Sequence, residues 1–347
     1  MPGSVTAGED LEVTLIRPTP GVSDAGEPVR RPGTGRAVAV LVLVVLAALI
    51  PLLGPSAALH DTGEAVAPGA GGVGLLRTVL LAALCVPVGE LFVRRLVRSV
   101  PGAPESAPRS WAPCAAAAGF VAALGLASFV ATGNLVPGSV AEIDVGGLYA
   151  SRDGKLALVE VNAFLAAGLC ALSARPATQV WPMAAVVVAE ALRAHPTTEQ
   201  GQLVGSGLTL VHLTCAALWT GGLLYALRTL RCWGPSEAGA AMLGLYARVA
   251  ALLLAAITAT GVWSSLRRMP SDTVLEQLTT TAYGRVLLAK VLLVAAVAAL
   301  ALWARIRLGR ATDPLTACSP ARAEVVALGV VVAVSGLLTA LPVPIRW

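Results

Sequence analysis

Two histidines, a cysteine and a methionine are the residues of this chain best suited to bind something specific. His212 lies about six residues into an apolar run that reaches position 227 and is long enough to cross a bilayer. An ionisable group there is costly in hydrocarbon and asks for a reason. Cys215 and Trp219 follow at helical spacings of three and seven, so all three share one face. His195 precedes the run across a short loop, 196–201, and a hairpin of that length brings two imidazoles to neighbouring helix ends. Met269 adds a thioether after the next apolar run. Imidazole with thiolate or thioether suits copper, Cu(I) above all, and is also compatible with zinc. The plainer reading of the same histidines is structural, with His212 bonding across helices and His195 at a wet interface.

A second set is polar and intramembrane. Glu160, Asn162, Glu190 and Lys290 fall within apolar runs, where charges usually face the bundle interior and pair. They read either as a hydrated pathway or as buried ion pairs, for instance Lys290 with Glu160 or Glu190. Glu90 and Glu324 lie within reach of Arg94 and Arg322 as interfacial pairs.

The elements that must position these groups are membrane helices. Of 347 residues 56% are hydrophobic and 13% charged, about half the charge of a soluble domain. This predicts an all-α, polytopic integral membrane helical bundle. Candidate spans are 37–53, 74–94, 112–131, 156–174, 178–194, 203–227, 244–266, 284–304 and 323–341, about nine transmembrane helices. Residues 1–36, rich in Gly, Pro, Glu and Arg, read as a disordered cytoplasmic tail. The first apolar run reads as an uncleaved span, without a convincing small-residue cleavage site.

The net charge of +5 comes from arginines that punctuate the apolar runs. They are topology determinants, and nucleic acid is not an expected partner. About twice as many fall on one side as on the other, which predicts N-in/C-out. Arg267 and Arg268, on the outer side, dissent. This topology puts His60, His195 and His212 toward the outer side. The six cysteines form no C-x-x-C pair, so a disulfide framework is not expected. No phosphate loop, nucleophile elbow or haem-attachment motif is present, and no enzymatic activity is expected.

The stretch from Val211 and His212 through Leu218, Trp219, Thr220, Gly221, Gly222, Leu223 and Leu224 resembles the histidine and "WTGG" helix of the copper-resistance protein D (CopD) family. Tyr246-Ala247-Arg248 and Thr260-Gly261 resemble that family's next helix. Thr280-Thr281-Ala282-Tyr283-Gly284-Arg285 through Lys290 resembles its "TTxYGR…K" block, and Glu324 with the closing Leu341-Pro342 its last helix. The likeness runs over roughly 190–345, giving a division into membrane helices 37–189 and a CopD-like domain 190–347. It implies a multi-pass protein of the cytoplasmic membrane that takes up or passes copper, with His195 and His212 as ligands. It makes Lys290 a structural or pathway residue; Cys215 and Met269 as further ligands, and Glu160 and Glu190 as pathway or ion-pair groups, are expectations from the residues themselves. Partners implied are the copper ion, membrane lipid, and a periplasmic or extracellular copper chaperone or respiratory oxidase. An alternative is an assembly factor that helps metallate such an oxidase without transporting ions.

Overall fold

A computed structural model describes residues 34–342 apart from Val66, 196–200, 270–272 and 311–317. The expected tail, for residues 1–33, lies outside these, as do most of the loop after His195 and the chain end with Trp347. Every regular element among the described residues is helical. The helices are α1 (Thr34–Leu59), α2 (Ala70–Val97), α3 (Ala112–Ala131), α4 (Val145–Ala150), α5 (Arg152–Leu172) and α6 (Val180–Arg193). They continue with α7 (Gln202–Trp233), α8 (Glu237–Arg268), α9 (Val274–Thr280), α10 (Ala282–Arg310) and α11 (Cys318–Leu338).

Each expected span corresponds to one of these helices, but length separates them. Seven among the described residues are long and apolar enough to cross a membrane: α1, α2, α3, α5, α7, α8 and α10. The other two expected spans fall on α6 and α11, which are shorter or less continuously apolar. Helix α6 has 14 residues, roughly 21 Å at 1.5 Å per residue, short of the ~30 Å hydrocarbon core. The 3-10 turn Pro176–Gln179 runs straight into it and adds about 8 Å at ~2 Å per residue. The apolar part of α11 is Ala323–Leu338.

Helix starts follow local chemistry. Ser151 accepts from the Gly154 N–H at 3.1 Å, Ser236 from Gly239 at 3.1 Å and Asp144 from Gly147 at 2.9 Å, each satisfying an amide that the first turn leaves bare.

Helices α2 and α7 form the central pair. On one side Leu80, Leu84, Phe164, Met183 and Val186 pack with α3, α5 and α6. On the other, Val93, Trp219, Leu223, Met242, Tyr246 and Leu328 join α7 to α8 and α11. The α2–α7 contact is made by glycine. A Cβ on Gly89 would lie 2.0 Å from the Gly221 carbonyl carbon, and one on Gly221 1.8 Å from the Cys85 oxygen. In lipid, helices associate through such close backbone approach, since burial of apolar surface gives little net drive.

Contacts between helix ends define one end of the bundle. The His60 carbonyl, just past α1, accepts from Arg285 near the start of α10 at 2.8 Å. Arg152 at the start of α5 donates to Leu192 O near the end of α6 at 2.8 Å. Arg267 at the end of α8 donates to Gly201 O at the start of α7 at 3.1 Å. His60, His195 and the start of α7 therefore share this end. At the opposite end Arg228 donates to Arg109 O and stacks 3.7 Å from the Trp111 ring centroid, while Trp233 Nε1 donates to Ser106 O at 2.8 Å.

Candidate functional site

His212 lies ten residues into α7, roughly 15 Å from its first residue and deeper than the six expected. Its Nδ1 is 3.0 Å from the Thr260 hydroxyl on α8. That hydroxyl has one proton, and backbone carbonyls of Ala256 and Ile257 stand 2.7 and 3.1 Å away to receive it. When that proton goes to its own helix, the Thr260 oxygen is left to accept from Nδ1–H of His212. In that arrangement the Nε2 lone pair is available, as a metal ligand requires. Gly261 makes room beside the ring, whose Cε1 would be 3.5 Å from a Cβ there.

The ring borders a cavity of about 310 Å³ between α7, α8, α9 and α10. Its other polar or polarisable lining includes Met269, Ser265, Thr258 and Lys290; Leu287 and Val291 are among the aliphatic residues. Met269 is fully buried. An imidazole and a thioether in one apolar cavity are the donors of a soft monovalent ion.

His195 and Cys215 do not line this cavity. His195 is buried, its Nε2 3.0 Å from the Thr209 hydroxyl and its carbonyl accepting from Gln202 Nε2 at 3.1 Å. Its ring lies over Gly205, where a Cβ would come within 2.5 Å of Nδ1. The two expected histidine ligands thus engage different threonines. Cys215 packs against the Trp219–Tyr246 cluster. Among the described residues no group of three or more His, Cys, Asp or Glu is placed to hold a metal ion. His60, exposed, pairs with Asp61 at 2.8 Å.

The expected pairing of Lys290 with Glu160 or Glu190 is corrected. Glu190 on α6 is paired with Arg77 on α2, and Glu160 on α5 with Arg193 on α6 at 3.1 Å. Helices α5 and α6 pack on each other and on α2, α3 and α7, whereas α10 packs on α9 and α11, so Lys290 is left to the His212 cavity. Glu90 bridges Arg94 at 2.6 Å as expected, but is fully buried.

The recognisable sequence blocks have local physical reasons. Gly222 admits the Tyr246 ring, 2.9 Å from a Cβ there, and Tyr246 donates to Trp219 O at 2.6 Å. Thr281 caps α10 by accepting from Gly284 N at 3.0 Å. Gly284 lies against α9, where a Cβ would meet Gln277 O at 2.0 Å. Arg268 donates to Tyr283 Oη at 3.1 Å, and Arg285 to Thr279 O at 2.8 Å. These contacts fix the α8–α9–α10 corner around the cavity. They also account for basic residues at the histidine end, which bond to protein oxygens. Sequence reasoning missed Thr260 as the partner of His212, although Thr260-Gly261 was visible as a block.

A family model, Copper resistance protein D, matches residues 240–338. This segment, less than a third of the chain, is similar to that family. No curated protein and no solved structure matches the chain. The CopD segment runs from α8 into α11 and supplies Thr260, Met269 and Lys290, while α7 with His212 lies just before it. The match ties this segment to a family described by copper resistance, and seven helices among the described residues are long and apolar enough for a multi-pass membrane protein.

Proposed function

We propose that the protein passes Cu(I) through the membrane by way of the cavity between α7, α8, α9 and α10. The ion enters from the histidine end, with His212 Nε2 and Met269 Sδ as its donors. The observation that carries this reading is the His212 ring, its Nδ1 3.0 Å from the Thr260 hydroxyl, in one cavity with the buried Met269 thioether. His195, nearer that end, and Cys215, one turn below His212, serve as earlier or later contacts. Two soft donors favour passage over storage. The arginine bias supports nine passes with N-in/C-out, so that the histidine end faces outward. In this reading Glu160 and Glu190 are structural, held by their arginines.

Purified detergent-solubilised protein titrated with Cu(I) against a competing chelator tests the site. Wild type should bind about one equivalent, and His212→Ala and Met269→Leu should each weaken binding at unchanged thermal stability. Unaltered binding in both variants would overturn the site. Cells lacking the protein should change their copper content; unchanged copper with lost oxidase activity would favour an assembly role instead.

A further inference from the structure

The structure holds a second recess away from the copper cavity. It lies between α2, α6 and α7 and measures about 460 Å³. Its walls are aliphatic and aromatic, among them Leu91, Phe92, Val187, Val188 and Leu218; Thr214 and Arg95 are its polar members. Val180, Val188 and Leu210 are 48%, 43% and 36% exposed, so the recess is open along the side of the bundle, where lipid would lie.

It runs roughly 12 Å along α6 and α7. Arg95, the member of α2 nearest its C-terminal end, closes the end away from the histidines. That end has a particular electrostatic state. Arg94 is bridged to Glu90, and Arg228 lies over Trp111. Arg95 is exposed and, among the described residues, has neither hydrogen bond nor ion pair. Helix α6 begins only at Val180, and the exposed Trp181 stands at its start, an indole of the kind that sits at headgroup level.

We propose that this recess is a binding site for one anionic phospholipid, an acyl chain lying along α6 and α7 and the phosphate held by Arg95. Charge complementarity decides the occupant. An apolar slot alone would take any chain, whereas an unpartnered guanidinium at headgroup depth selects a lipid with net negative charge. The site is independent of copper, since none of its lining residues borders the His212 cavity.

The test is native mass spectrometry of the purified protein after exchange into mixed micelles of phosphatidylethanolamine and phosphatidylglycerol at 3:1. Wild type should retain one phosphatidylglycerol in preference to the zwitterionic lipid. Arg95→Gln should lower that preference about five- to tenfold. Ala184→Phe, at an exposed lining position, should fill the slot and remove retention of either lipid. Arg98→Gln, one turn away and outside the lining, should behave as wild type. Equal loss from Arg95→Gln and Arg98→Gln would show general basic attraction and overturn the site. Undiminished retention in Ala184→Phe would do the same.

Discussion

Gly89 on α2 and Gly221 on α7 meet backbone to backbone, leaving no room for a Cβ on either. The central helix pair of the bundle depends on this crossing. Gly221→Val should therefore push α2 and α7 apart and destabilise the protein by about 3 kcal/mol, the upper range for overpacking. Gly244→Ala, on α8 where nothing lies within 4 Å of the added carbon, should be neutral or slightly stabilising. Thermal unfolding in detergent, followed by circular dichroism, compares the two.

Thr260→Val removes the hydroxyl that receives His212 Nδ1–H and keeps the side-chain shape. The imidazole would then be free to turn or change tautomer. Cu(I) affinity should fall about tenfold or more, as for loss of other partners that orient a metal ligand, with little change in unfolding temperature. Thr260→Ser should restore most of the affinity. A competitive chelator titration reads both.

Arg193→Ala leaves Glu160 buried without its cation. The expected cost is about 3–5 kcal/mol, most of it the uncompensated carboxylate. Replacing both partners, as Glu160→Gln with Arg193→Met, should recover much of that. Both variants that fold should bind Cu(I) as wild type does, because neither residue borders the cavity. A binding defect in the stable double variant would return Glu160 to the pathway.

Orientation is read by labelling. In a background with the native cysteines replaced, a single cysteine at Thr62, beside His60, should react with a membrane-impermeant maleimide added to intact cells. One at Gly102, in the loop at the Arg228 end, should react only after permeabilisation. The reverse pattern would place the histidine end in the cytoplasm.

The helical nature of the chain was plain from its apolar runs, and each span fell on a helix. The functional arrangement was less plain because period and hydropathy show which face a residue occupies along one helix, not which helix it meets. His212, Cys215 and Trp219 do share a face of α7, yet that face splits between a cavity and a packed cluster. Glu160 and Glu190 were recognisable as costly charges. Their partners Arg77 and Arg193 were read as topology signals, because an arginine that sits near a helix end looks the same in sequence whether it faces headgroups or a buried carboxylate. Thr260 carried no signal of its own: its role depends on a hydroxyl facing an imidazole 48 residues earlier in the chain.

The boundary of the family-matched segment falls between the two residues proposed as copper donors. Met269 and Lys290 are inside it, whereas His212 belongs to α7, which is fastened to α2 through the glycine crossing. The segment is therefore not a portable module. Grafted or expressed alone, it would carry a thioether and an ammonium but no imidazole, and its α8 would present the uncovered seat of α7. The cavity needs α7 for its imidazole, so a helix outside the matched segment is a physical part of its wall.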